Sequence, residues 1–181
     1  TYIRLREWIR KQGFKQVESL RAYPFPELCI REFHFDSKDD LIRLSVNFIP
    51  RGLDTLYVTH SASSISKDGE RYVTDNAFLP YGGYFPDKWI LDRKPLTRSP
   101  SKLPKRHNER LNASGKEFTP WQDLPLNDIN EQHRLLERTN EDRGILNPRP
   151  NWEQHGRFSQ EGRYRLWKEI LLLKYFGVSA S

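Results

Sequence analysis

Apolar and polar positions alternate with period two along four stretches of the chain: residues 27–36, 41–49, 53–62 and 71–78. Period two is the pattern of a strand whose two faces meet different surroundings. The joins are short and rich in turn formers: Ser37-Lys38-Asp39-Asp40, Pro50-Arg51-Gly52 and Ser66-Lys67-Asp68-Gly69. Joins of this kind predict an antiparallel meander of about four strands rather than a parallel sheet. In the second stretch Ile42, Leu44, Val46 and Phe48 share an apolar face, and Arg43, Ser45 and Asn47 a polar one. Cys29, Phe33 and Phe35 join the apolar set, which leaves Glu32, His34 and Asp36 on the polar side. The third stretch adds Leu56, Val58, His60 and Ala62 to the apolar side, while the fourth is ambiguous, because Val73 inward carries Asp75 with it. A sheet with one apolar and one polar face predicts helices on one side only.

Helical spacing marks both ends. In residues 2–12, Leu5, Trp8 and Ile9 fall on one face and Arg4, Arg6, Arg10 and Lys11 on the rest, with Gly13 as the stop. The stretch Tyr23-Pro24-Phe25-Pro26 predicts an extended connector, since each proline pushes its predecessor out of helical space. Thr119-Pro120-Trp121-Gln122 has a capping-box form and predicts a short helical turn. Residues 126–142 carry an apolar stripe of Leu126, Ile129, Leu135 and Leu136; Ser159 caps a last helix to Phe176, with Gly177 as its stop. That last helix is apolar on most sides, which predicts a central packing element. The chain thus reads as a single α+β domain over residues 1–181: a sheet at 27–78, a long basic, proline-containing loop at 79–118 and a helical part at 119–177.

Composition narrows the classes. Aromatic residues are 13% of the 181, which excludes intrinsic disorder. The longest apolar run, residues 170–173, is far too short for a bilayer-spanning helix, so no membrane partner is expected. One cysteine, Cys29, excludes an internal disulfide, and the N-terminus lacks the apolar core of a signal peptide, so an intracellular setting is expected. There is no methionine, so a natural start is expected upstream of Thr1.

Charge placement supplies the functional expectation. The net +6 equals the excess in residues 93–110, which hold seven bases and one acid. Arg93, Lys94, Arg98, Lys102, Lys105, Arg106 and Arg110 form a dense basic arm. A second patch, with Arg149, Trp152, Arg157 and Arg163, mixes bases with aromatics. Phosphates attract such bases and nucleobases stack on such rings, so DNA or RNA is the expected partner, with an acidic protein partner as the other occupant of a basic arm. The row Glu32, His34, Asp36 projects one way at spacings of about 7 Å. Such a row can hold Mg²⁺ or Mn²⁺ as catalytic and metal-ligating residues, which would make the binder a metal-dependent nuclease. An alternative is a cysteine hydrolase or deamidase: Cys29, His60 and Asp75 fall on one face in the chain order that papain-like and transglutaminase-like enzymes use. A third is a structural or adaptor subunit whose arm threads into a larger assembly.

Overall fold

Helix α1 (Tyr2–Lys11) forms where the spacing puts it, with Ile9 fully buried and Leu5 and Trp8 packed beside it. The computed structural model describes residues 2–25, 28–50, 55–78, 81–97, 99, 101–148 and 157–177. After α1 come β1 (Lys15–Phe25), β2 (Leu28–Asp36), β3 (Arg43–Pro50), β4 (Leu56–Ser66), β5 (Arg71–Asp75) and β6 (Trp89–Arg93). Then follow α2 (Lys102–Ser114), the two-residue β7 (Phe118–Thr119), α3 (Pro125–Asp142) and α4 (Gln160–Phe176).

The fold is mixed α+β, but the sheet is larger than a four-stranded meander. Strands β1 to β6 lie side by side in chain order, antiparallel until β6 joins β5 in parallel. Strand β7 pairs with Ile65 and Ser66 of β4, beyond the point where β3 begins opposite Ser63. Three strands, β1, β6 and β7, escape the sequence pattern. Residues 15–25, partly expected as a connector, form the edge strand β1. An edge strand tolerates Pro24 because one side of its backbone needs no partner. Strand β6 lies inside the expected loop.

That loop is the main correction. Residues 93–110 end β6, turn, and enter α2, whose Leu103, Pro104, His107 and Leu111 are buried against the sheet. Pro104 sits in the first turn of α2, where a missing N–H breaks no helical bond. His107 bridges two strands, with Nε2 3.0 Å from Ser64 Oγ and Nδ1 3.0 Å from Thr74 Oγ1. The expected helical turn at Thr119 is instead β7.

Both faces of the sheet are covered, against the expectation of one. On the apolar face, Phe35, Leu44, Val46, Phe48, Ala62 and Tyr72 pack with Ile9 of α1 and Leu111 of α2. Phe33 meets Phe48 edge-on, ring centroids 5.8 Å apart. The polar face is roofed by α3, which is anchored by Leu126 N donating to Glu18 Oε2 (3.0 Å) and by the buried Arg71–Asp128 ion pair. Helix α4 is capped as read: Ser159 Oγ accepts from Gly162 N (3.1 Å), and Gly177 takes φ +63°. It is not central, however: Tyr164, Trp167, Ile170, Tyr175 and Phe176 are exposed. It is tied to the body by Glu169, which accepts from the backbone of Tyr81 (2.8 Å) and Gly82 (2.6 Å), and by Arg165, which donates to Tyr84 Oη (2.9 Å).

Candidate ligand-binding site

Strand register turns the polar face into levels. Leu20, Glu32, Asn47 and Thr59 lie side by side on one level; Glu18, His34, Ser45, Ser61, Asp75 and Arg93 form the next; Asp36, Arg43, Ser63, Val73 and Leu91 the third. Side chains directly opposite on paired strands have Cβ atoms about 5 Å apart, so each level is a contact row. Helix α3 spans these rows with Leu126, Ile129 and Leu136 facing them. A cavity of about 740 Å³ remains between helix and sheet. Leu20, Ile30, Ile49, Leu91, Phe85 and Trp89 supply most of its apolar wall, and Glu32, His34, Ser45, Asn47, Ser61 and Asp75 its polar floor. A mostly apolar cavity with a few convergent polar groups is the usual form of a small-molecule site.

The floor is electrically unusual. His34 is 1% exposed; its Nδ1 lies 2.9 Å from Ser45 Oγ, but Nε2 has no hydrogen-bond partner, the nearest carboxylate atom being Glu32 Oε1 at 3.6 Å. Burial, helped by the neighbouring Arg43 charge, pushes His34 down to about 4, so its ring is neutral at physiological pH. Burial also pushes Glu32 up to about 7. Asn47 Oδ1 is buried without a partner as well. Buried polar groups are ordinarily paired; His34 Nε2, Asn47 Oδ1 and Arg43 Nη1, three of the unpartnered buried atoms among the described residues, belong to residues that line this cavity.

The remaining carboxylates are already engaged. Asp36 takes a bidentate hold on Arg43, Nε to Oδ1 2.8 Å and Nη2 to Oδ2 2.9 Å; the guanidinium also lies over the Trp121 ring at 4.3 Å. Asp75 is held 3.3 Å from Arg93; burial raises its carboxyl pKa against that pull. Of the row Glu32, His34, Asp36, the first two lie on the cavity floor, Glu32 half-buried and His34 buried, while Asp36 stands beside it. That third member is occupied by arginine. Among the described residues no three His, Cys, Asp or Glu side chains are grouped to hold a metal ion.

The hydrolase trio is not brought together. His60 pairs with Val46 on the apolar face, whereas Asp75 pairs with Ser61 and faces the cavity. By register, Cys29 stands four residues, about 13 Å, along β2 from Phe33, the residue level with His60.

The basic residues are scattered too. Arg93 is half-buried beside Asp75 and Glu169, and Arg110 donates to Val73 O (2.7 Å), Ile90 O (2.9 Å) and Thr74 Oγ1 (2.6 Å). Lys94 and Arg106 both clasp Asp92. Lys102 and Lys105 are exposed on α2, Arg163 is exposed on α4, and Arg157 is exposed just before it. Arg98, Arg149 and Trp152 lie outside the described residues. Among the described residues no helix is long and apolar enough to cross a membrane.

No protein-family model, curated protein or solved structure matches the chain.

Proposed function

We propose that the protein binds a small organic molecule, with an apolar body and a polar head, in the cavity beneath α3. The observation that carries this reading is the fully buried His34 ring, whose Nε2 has no partner and which lies in the wall of a 740 Å³ space. Leaving a buried nitrogen unpaired costs about 1–3 kcal/mol, which a ligand hydrogen bond would recover. The test fills the space from the roof. Ile129→Trp puts an indole in the cavity, where it should abolish binding of a fluorescent apolar probe. Circular dichroism and a cooperative melt check that the variant stays folded. Equal probe binding by parent and folded variant would sink the reading.

A second reading, sequence-tolerant nucleic-acid binding, keeps one supporting observation. The outer face of α4 interleaves exposed Arg163, Lys168 and Lys174 with exposed Tyr164, Trp167 and Tyr175, and the Tyr164 and Trp167 rings are stacked 6.1 Å apart. Bases that neutralise phosphates and rings that stack on nucleobases are the parts of a single-strand groove. Replacing the three bases by alanine should weaken oligonucleotide binding and flatten its log-log salt slope by about 2. An unchanged slope removes this reading.

A further inference from the structure

The cavity's polar end has a chemical bias of its own. Three carboxylates of the cavity wall and its flank stand beside an arginine: Asp75 beside Arg93, Asp128 beside Arg71, Asp36 beside Arg43. Glu32 is the exception. No lysine or arginine among the described residues forms an ion pair with it, and its one charged-type neighbour is the neutral His34 ring at 3.6 Å. Directly across from Glu32 in the register is Asn47, whose Oδ1 is buried and unpartnered. If Nδ1 carries the His34 proton and donates it to Ser45 Oγ, then Nε2 presents a lone pair to the same corner. In that tautomer the corner holds a carboxylate, an amide oxygen and an imidazole lone pair, three acceptors beside the Asn47 amide N–H2.

We infer that the head group this corner takes is an ammonium: the ligand is an organic amine with an apolar body, donating to Glu32, Asn47 Oδ1 and His34 Nε2. This rests on the cavity reading proposed above. A protonated primary amine carries three N–H donors and one positive charge. The charge supplies the partner that Glu32 lacks, and a desolvated carboxylate gains most from such a partner. An anionic head would instead face the Glu32 carboxylate, while Arg21, a cation of the lining, is exposed at the cavity edge. The unpartnered donor in the wall, Arg43 Nη1, belongs to the third level, and its charge is already matched by Asp36. A neutral hydroxyl head could satisfy one or two acceptors and leave the carboxylate unmatched. The apolar body would lie along Leu126, Ile129 and Leu136 of α3.

The test uses one skeleton with three heads: 4-phenylbutylamine, 4-phenylbutan-1-ol and 4-phenylbutyrate, titrated calorimetrically against the whole chain at pH 8 and pH 6. The amine is expected to bind at least tenfold more tightly than either analogue at pH 8. Because a Glu32 carboxyl near 7 must be ionised to pair with it, amine affinity should drop about tenfold at pH 6. The other titratable and charged groups lining the cavity are His34, Arg43, Asp75, Asp128 and His133, with Arg21 at its edge. A His133→Gln variant, which should keep the pH effect, removes the imidazole of α3 as its source. Glu32→Gln should erase both the amine preference and the pH effect while alcohol binding stays within twofold. Asn47→Ala should cut amine affinity in a chain whose Glu32 is intact. If alcohol and amine bind alike at pH 8, or Glu32→Gln keeps the preference, the amine assignment is overturned and the cavity reading stands. If none of the three binds to the parent and the fluorescent probe also fails, both readings fall.

Discussion

Glu32 and His34 sit two residues apart on β2, and burial moves them in opposite senses: the acid up to about 7, the base down to about 4. Burial thereby keeps the His34 ring neutral at pH 7 and leaves the Glu32 carboxyl about half protonated there. For Glu32 the sign is clear. Between its unfolded value of about 4.5 and its folded value of about 7, the folded chain keeps a proton that the unfolded chain has lost. Stability therefore falls as pH climbs through that window, and the cost is complete above 7. Glu32→Gln cannot ionise, so its melting temperature should exceed the parent's by several degrees at pH 8 and match it at pH 4.5. A differential scan at the two pH values checks this, and equal shifts at both would contradict it. Asp36 behaves differently, because its carboxylate holds Arg43 on the buried face. Asp36→Ala leaves that guanidinium without its ion-pair partner and should cost about 3–5 kcal/mol in urea unfolding, a loss that Asp36→Asn reduces only in part. The row of three residues was legible from alternation alone, but their separate fates were not. Period two says which side a residue faces; the partner on the next strand decides whether a carboxylate is occupied.

At the scale of elements, α2 is the instructive case. Leu103, His107 and Leu111 recur at a spacing of four and form its buried face, while Lys102, Lys105, Arg106 and Glu109 point to solvent. Three prolines and seven bases in the same eighteen residues hid that spacing under the pattern of a loop. The helix is held to the sheet by His107, so His107→Ala should strip Ser64 and Thr74 of a hydrogen-bond partner and open a void. The expected loss is about 2–4 kcal/mol, read as a lower urea midpoint at unchanged slope. His107→Gln, which keeps polar atoms at the site, should recover part of it. Strand β1 escaped notice for a different reason: at the sheet edge most of its side chains meet water, so its alternation is shallow. Helices α3 and α4 were legible because a continuous apolar stripe and a serine cap do not depend on distant partners. The apolar stripe of α3 was also the unused clue to the cavity. Leu126, Ile129 and Leu136 needed a surface, and the polar face of the sheet was the one left uncovered.

Over the whole molecule, charge summed along the chain misled where charge summed in space does not. Part of the excess in residues 93–110 is met by acids from other segments: Arg93 stands beside Asp75 and Glu169, and Lys94 and Arg106 pair with Asp92. What the folded body does concentrate is neutral histidine. His34 and His60 are pushed down to about 4 and His107 to about 3, in each case chiefly by burial. A histidine whose folded value is depressed favours folding in its neutral form. That stability is fully present above the unfolded value near 6.5 and is lost as pH falls toward 4, because the unfolded chain takes up protons that the folded chain refuses. Glu32 and Asp75, both raised, work in the opposite direction through part of this range, so the three protons are partly offset. One to two net protons leave a slope of roughly 1–3 kcal/mol per pH unit between pH 6.5 and 4.5. Urea melts across that interval should show the midpoint falling steadily with acid. The triple variant His34→Gln, His60→Gln, His107→Gln should be less stable at pH 7 yet nearly flat, or reversed, in its pH response. A parent midpoint that holds steady from pH 6.5 to 4.5 would mean that these rings meet water in the folded chain, and the burial of His34 beside the cavity would go with them.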